Sequence, residues 1–390
     1  MTWKAQTAFK LSPRIIAAFT IILAGMQDPY AVYACAVEGT QSYQPLISEV
    51  DVALGKAGSS NMGPDYPNLP QLEAGYPNAK LTTATIPCVI LKAIGYVESS
   101  WHQARGTVPR GTAGQTLVSG SCGYGIMQIT SGMRAPGDLP PADQKRIAED
   151  YKYNVAWGAK MLADKWNHAP EWRPVVGNRD PKTAENWYYA VWSYNSWGWR
   201  NNPNNPDFPS VRPAFTGTQS RTNYPYQELV WGYAANPPKN SGSPLWSAVS
   251  LTLPDRAGIG TDPGWIPTPS PPHESPCLVL RVKPTSLQLI VEPGGKSKTQ
   301  SFEIEIAGSD SSAWTATANK SWIRLAPPSG SSVPATVHIS VDATGLAKGR
   351  YNGTVVIESS GATGSPQTVN IEARVGPIFR LYLPDFHSGN

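Results

Sequence analysis

From Pro263 to Pro276 the chain reads Pro-Gly-Trp-Ile-Pro-Thr-Pro-Ser-Pro-Pro-His-Glu-Ser-Pro, and this stretch separates two incompatible hydrophobic patterns. So many prolines remove amide donors and hold the backbone extended, so a stiff linker is expected over 263–276. Before it, apolar residues recur at helical intervals; after it they alternate. A chain of 390 residues also has room for more than one domain. The expected architecture is multidomain, with an α-rich domain over 82–262 and an all-β sandwich over 277–377.

In the first domain, Ile90, Ile94 and Glu98 share one helical face, beside Val89, Ala93 and Val97. A carboxylate on an apolar stripe is poorly solvated, and desolvation favours its protonated form. Such an acid can protonate the leaving oxygen of a glycosidic bond. A helix-end Glu reaching into solvent is the plainer reading. Ile147, Tyr151, Val155 and Leu162 mark another helix, with Asp143 near its start. Trp187, Ala190, Val191 and Tyr194 mark a third, and Tyr226–Tyr233 a short fourth. The long Asn- and Pro-rich loop from Arg200 to Tyr224 is expected to form a groove rim. Residues 35–81 show no sustained period and are expected to be an extended lead-in.

Composition excludes some functions. The formal charge of +4, without a dense Lys/Arg cluster, gives no footprint for nucleic acid. His102, His168, His273, His338 and His387 are scattered, so no metal site is expected, and no motif implies a cofactor. The 14 Trp and 17 Tyr against 7 Phe suit stacking on sugar rings, although core packing explains many of them equally well. At the amino end, Lys4, Lys10 and Arg14 precede the apolar run 15–26, and Val32-Tyr33-Ala34 offers a cleavage site. Residues 1–34 are therefore expected to be a signal peptide or anchor, and the protein to be exported, extracellular or associated with the cell envelope.

The order Glu98-Ser99, Gly125-Ile126-Met127-Gln128, Asn154 with Gly158, and Trp192-Ser193-Tyr194-Asn195-Ser196-Trp197-Gly198 resembles the soluble lytic transglycosylase family over about 82–235. That resemblance implies a lysozyme-like α+β fold of the goose type and peptidoglycan as substrate. It implies Glu98 as the catalytic residue, with Ser99, Gly125, Gln128, Tyr194, Asn195 and Trp197 at the substrate. Tyr194 would orient the Glu98 carboxyl, and Gly123 and Gly125 would let backbone approach the polysaccharide. Ser193 and Ser196-Trp197-Gly198 depart from the family's small residues. Four cysteines in an exported chain suggest disulfides, and four allow three pairings. Cys88 opens the Glu98 helix and Cys122 adjoins the facing Gly-rich segment, so Cys88–Cys122 with Cys35–Cys277 is the expected pairing.

A hydrolase normally adds a second carboxylate about 5–5.5 Å away as a nucleophile, or about 6.5–9.5 Å away as a base. Residues 99–137 contain no Asp or Glu; Asp138, Asp143, Glu149 and Asp150 come next. A lytic transglycosylase needs only one acid, because the muramic acid 6-hydroxyl attacks the anomeric carbon. The sequence therefore favours peptidoglycan cleavage to 1,6-anhydromuramic ends. A lysozyme-type hydrolase (muramidase or chitinase-like) and a non-catalytic wall-binding protein are the alternatives.

Beyond the linker, Leu278–Val282, Phe302–Ile306, Val337–Val341, Thr354–Glu358 and Val369–Val375 alternate as strands, suggesting about seven strands in an antiparallel immunoglobulin-like sandwich. Pro284-Thr285-Ser286-Leu287, Ser321-Trp322-Ile323, Ser329-Gly330 and Gly349-Arg350-Tyr351-Asn352-Gly353 resemble the BACON family, which implies a carbohydrate-associated or spacing module. Trp314 and Trp322 are expected to pack in its core. Residues 378–390 form a short tail with an apolar element.

Overall fold

The computed structural model describes residues 35–83, 85–134, 139–216, 222–307, 312–359, 362 and 364–377. The expected signal segment, 1–34, and the tail, 378–390, lie outside the described residues. Two hydrophobic cores follow the two sequence periods: one runs from Val50 to Ile266, the other from Leu280 to Val375.

The lead-in corrects the expectation for 35–81. Strand β1, Gln41–Gln44, is followed by helix α1, Ile47–Gly58, which buries Val50, Ala53, Leu54 and Ala57. Those positions are spaced i, i+3, i+4 and i+7, a helical stripe. The Glu49 carboxylate accepts the Leu46 amide at 2.8 Å and settles the first turn. β1 pairs antiparallel with β2, Thr112–Gln115, so the lead-in is built into the domain.

Helix α2, Cys88–Ser99, carries Glu98 in its last turn and buries Ile90 and Ile94 completely. Each such side chain contributes about 1.5–3 kcal/mol by leaving water. The helix stops at Ser100, whose left-handed backbone (φ 55°) is followed by Trp101 at φ 62°. Two non-glycine residues hold this unfavourable conformation because the Trp101 indole is fully buried and donates to Lys92 O at 3.0 Å.

The stripe from Ile147 to Leu162 is two helices, α3, Pro141–Glu149, and α4, Tyr151–Asn167. Asp150 breaks it in extended conformation, and its carboxylate accepts the Lys152 and Tyr153 amides at 2.9 and 3.3 Å. Asp143 lies in the first turn of α3 and accepts the Tyr153 hydroxyl at 2.7 Å. The period bridged this break because Ile147 and Tyr151, on either side, enter one core. After α5, Ala169–Trp172, come α6, Tyr188–Asn195, and α7, Tyr226–Ala235. α7 packs on α2, and α6 on α4.

The proline-rich segment is a docked strap, which corrects the linker expected over 263–276. Trp265 Nε1 donates to Gly177 O at 2.9 Å, Ile266 is buried, and Thr268 Oγ1 donates to Asn186 Oδ1 at 2.7 Å. The fully buried Glu185 carboxylate accepts His273 N at 2.8 Å and Thr252 N at 3.1 Å, with His273 Nδ1 at 2.7 Å. At its end, Ser275 O accepts Cys88 N at 2.5 Å and Ser275 Oγ accepts Val89 N at 3.2 Å. The strap therefore supplies acceptors for the buried amides that the start of the Glu98 helix leaves without an intrahelical partner. Proline stiffness predicted an extended path; only the tertiary structure shows what the path lies against.

Disulfides join Cys35 to Cys122 and Cys88 to Cys277, correcting the Cys88–Cys122 and Cys35–Cys277 expectation. The strap is the physical reason, since it delivers Cys277 to the first residue of α2. The lead-in likewise crosses the Gly-rich segment, with Ala36 N donating to Met133 O at 2.9 Å.

The second core lies between two sheets. The strands are β3 Val279–Lys283, β4 Ser286–Val291, β5 Gln300–Ala307, β6 Trp314–Ala318, β7 Ile323–Ala326, β8 Ser329–Gly330, β9 Ala335–Val341, β10 Gly349–Glu358 and β11 Gln367–Val375. One sheet runs β8-β6-β10-β11-β4, the other β7-β9-β5-β3. The described residues of the sandwich thus form nine strands, and β11 pairs parallel with β4, opposing Ile371 to Leu287, so the sandwich is not wholly antiparallel. Alternation holds well: β4 is buried at Leu287, Leu289 and Val291 and exposed between them. Trp314 is buried in this core, as its sequence context suggested, and Trp322 packs at its margin.

Candidate active site

Glu98 emerges half-buried where the last turn of α2 meets the first turn of α7. Tyr226, the first residue of α7, donates its hydroxyl to Glu98 Oε1 at 2.6 Å. Tyr194 lies near enough for the Glu98 charge to act on it, and burial with that charge pushes its phenol well above the ordinary range. Its hydroxyl, however, donates to Met127 O at 2.9 Å. The orienting bond expected from Tyr194 thus comes from Tyr226, because Tyr194 is occupied in holding the facing turn.

That turn, Tyr124 to Gln128, is non-repetitive backbone with Gly125 at φ 64° and Gln128 at φ 47°. Its amides and carbonyls need partners from side chains, and besides Tyr194 three residues from other elements supply them. Asn154, fully buried on α4, accepts Met127 N at 2.9 Å and donates to Tyr124 O and Ile147 O at 2.8 and 3.0 Å. Gln103 accepts Ile126 N at 3.2 Å while its amide donates to Ala148 O at 2.9 Å. Ser99 Oγ donates to Ile126 O at 2.8 Å and accepts His102 N at 3.1 Å. One helical turn past Asn154, Gly158 leaves room for Met127; a Cβ there would lie 2.6 Å from the Met127 side chain. The Asn-x-x-x-Gly spacing therefore clamps the turn and seats its methionine.

Several expected substrate contacts take structural partners. The Ser99 hydroxyl is committed to the turn, as above. A Cβ on Gly125 would meet the Gln103 amide at 2.2 Å, so its bare face is filled by protein. Gln128 Nε2 donates to Gly125 O at 2.9 Å, folding that side chain onto its own turn. A Cβ on Gly123 would strike Gln128 Oε1 at 2.8 Å, which accounts for that glycine in the same way. Asn195 is exposed and accepts Asn201 Nδ2 at 3.1 Å. Trp197 is half-buried against Tyr189 and Trp192, with ring centres 5.3 and 4.4 Å apart.

The loop after α6 is ordered over the described residues up to 216 by its own amides. Asn202 and Asn204 donate to Gly260 O, and Gln227 donates to Asn201 O at 2.8 Å. Arg212 pairs with the buried Glu228 at 2.6 Å. Trp199, 47 % exposed, and Val211, 82 % exposed, stand out from this surface.

The described acids that the sequence offered as second carboxylates, and Glu228 on α7, have partners of their own. Asp143 and Asp150 are taken by Tyr153 and the α4 cap, Glu149 lies 4.0 Å from Lys145, and Glu228 is held by Arg212. Asp138 lies outside the described residues. Among the described residues no cluster of His, Cys, Asp and Glu could hold a metal ion, and no helix is long and apolar enough to cross a membrane.

Tyr226, Gln103 and the Glu185–His273 latch were not singled out from sequence. The apolar period marked Tyr226 as a helix start, but nothing local said that it faces Glu98. Gln103 carries no signal at all.

Residues 279–370 match the family model of the viral BACON domain, so the second part of the chain carries a BACON domain. No curated protein matches the chain. Among solved structures, a Bacteroides ovatus GH5 xyloglucanase in complex with a XXXG heptasaccharide is 21% identical over 27% of this chain and 21% of its own, with TM-score 0.21. A putative carbohydrate binding protein from Bacteroides ovatus is 12% identical over 25% of this chain and 37% of its own, with TM-score 0.21. A PapD-like domain of human CEP192 is 14% identical over 26% of this chain and 87% of its own, with TM-score 0.22. The chain thus spans about a fifth of the xyloglucanase that it matches.

Proposed function

We propose that the chain is an exported lytic transglycosylase that cleaves the β-1,4 bond between N-acetylmuramic acid and N-acetylglucosamine in peptidoglycan. The observation that carries this reading is Glu98 on a buried apolar stripe, held by Tyr226 opposite a clamped turn, with Asp143, Asp150 and Glu228 engaged by partners of their own. Glu98 donates its proton to the glycosidic oxygen as the C1–O bond breaks. The muramic acid 6-hydroxyl then bonds to C1 and returns its proton to the Glu98 carboxylate. Water takes no part, so no second acid is required. The exposed Asn195 and Trp199 are the groups that offer an amide and an aromatic face to the sugar. The BACON domain is read as a carbohydrate-associated module that spaces or targets the helical part. The two disulfides accord with an oxidising, extracytoplasmic location.

The test is mass spectrometry of fragments released from purified peptidoglycan by the wild type and by Glu98→Gln. Fragments ending in 1,6-anhydromuramic acid, absent with the variant, are expected. Reducing ends would replace this reading with hydrolysis. Undiminished binding without any fragments would replace it with a wall-binding protein.

A further inference from the structure

The carboxyl end of α4 and the segment after α5 bring two guanidinium groups together away from solvent. Arg173 is 6 % exposed and Arg179 is 2 % exposed. Both line a cavity walled by Trp166, Val176, Tyr189 and Ala190, in which about 10 Å3 is open to the centre of a water-sized sphere. Arg179 is answered by Glu73 at 2.5 Å, and its Nη2 donates to Trp166 O and Asn167 O at 2.8 and 3.0 Å. Arg173 has no comparable answer. Its Nε and Nη2, and Arg179 Nε, are buried without an acceptor among the described residues. The contact made by its guanidinium is with the Trp172 ring, 5.0 Å away. Burial and the Arg179 cation lower Arg173 to about 9, which leaves it charged at neutral pH. A buried cation with idle donors is costly, and native structures rarely leave one uncompensated.

We propose that this cavity binds one monatomic anion, chloride in ordinary salt, through Nε and Nη2 of Arg173 and Nε of Arg179. Size excludes larger guests: because the centre of a water-sized sphere has about 10 Å3 to move in, the void holds one monatomic ion a little larger than water, not a phosphate, sulfate or carboxylate ligand. Charge favours an anion over water. Water would accept two of the donors, leave the positive charge standing and need acceptors for its own protons. Asn186 and Tyr189, polar residues of the wall, are already engaged, the amide with Thr268, Asn178 and Asp180 and the hydroxyl with Gly264 O. A halide accepts several N–H donors and returns none. Its place between α4 and α6 makes it a fastener behind the helix that ends in Tyr194 and Asn195.

Thermal unfolding in sodium chloride, bromide and gluconate at matched ionic strength tests the site. The expected result is a Tm that rises with the logarithm of halide concentration and not with gluconate, which cannot enter. Arg173→Met, which fills similar space without charge, is expected to lose the discrimination. Equal Tm in all three salts for the wild type overturns the proposal. Should Arg173→Met fail to fold, wild-type crystals grown in bromide decide: an anomalous peak between the two guanidiniums supports the site, and water in its place overturns it.

Discussion

Among the described residues, the helical part buries Gln44, Gln103, Asn154, Glu185, Gln227 and Glu228 among its polar side chains, whereas the sandwich buries Ser359 alone. In the sandwich, ladders pair the backbone groups, and strict alternation fills the core with Val, Ile and Leu. Side chains add only local bonds at strand ends and turns, such as Ser297 to Val341 N and Asn319 to Thr354 N. The helical part contains the turn from Tyr124 to Gln128, the loop after α6 and the strap, none of which has a repeating ladder. Buried side-chain amides and the Glu185 carboxylate take that role by bonding backbone groups, while Glu228 anchors the loop through Arg212. The contrast teaches where a site can be built. A carboxylic acid needs groups placed around it by irregular backbone, and irregular backbone is held only at the expense of buried polar side chains.

The largest expected effect separates the two regions directly. Asn154→Leu orphans Met127 N, at about 1–3 kcal/mol, and takes one donor each from Tyr124 O and Ile147 O, which keep Ile129 N and Gln103 Nε2, at about 0.5–1.5 kcal/mol apiece. A total loss of about 3 kcal/mol or more is expected by denaturant titration, with cleavage lost even where the protein is still folded. Ile339→Ala in the sandwich core should cost a similar amount, about 2–5 kcal/mol, and spare cleavage. Equal loss of cleavage in both variants would break the comparison.

Next comes a steric test of the same clamp. Gly158→Ala places a Cβ 2.6 Å from the Met127 side chain, and such overpacking costs about 1–3 kcal/mol. Met127→Ala opens that space, so the double variant should lose clearly less than the sum of the two singles. Strict additivity would mean that Gly158 is not there for Met127.

What could be read in advance follows the same division. The sandwich was legible because its core obeys one local rule, and so was the stripe Ile90, Ile94 and Glu98 on α2. Helix α1 was equally legible in Val50, Ala53, Leu54 and Ala57, but its Gly-, Ser- and Pro-rich flanks obscured it. The disulfide pairing and the docked strap were not legible, because composition gives the stiffness of 263–276 and not the surface that it meets. Within the site, the spacing of Asn154 and Gly158 was visible, while their shared target, the Met127 turn, arises only when α4 packs behind it. Tyr194 and Tyr226 show the limit most sharply. Both sit at helix ends within reach of Glu98, and only the positions of α6 and α7 decide which hydroxyl it receives.

The smallest expected effect turns on that pair. The Tyr226 hydroxyl donates to Glu98 Oε1, a bond that favours the ionised carboxyl. Removing it in Tyr226→Phe should raise the Glu98 pKa, so the alkaline limb of the cleavage profile, where the acid loses its proton, moves to higher pH. The loss of orientation should lower kcat about tenfold, equivalent to about 1.4 kcal/mol, with KM nearly unchanged. Tyr194→Phe instead removes the bond to Met127 O, loosening the turn while leaving the donor on Glu98 in place. That variant should raise KM more than it lowers kcat and leave the alkaline limb where it was. If the limb stays put in Tyr226→Phe, or moves as far in Tyr194→Phe, the two hydroxyls do not divide the work as their hydrogen bonds do.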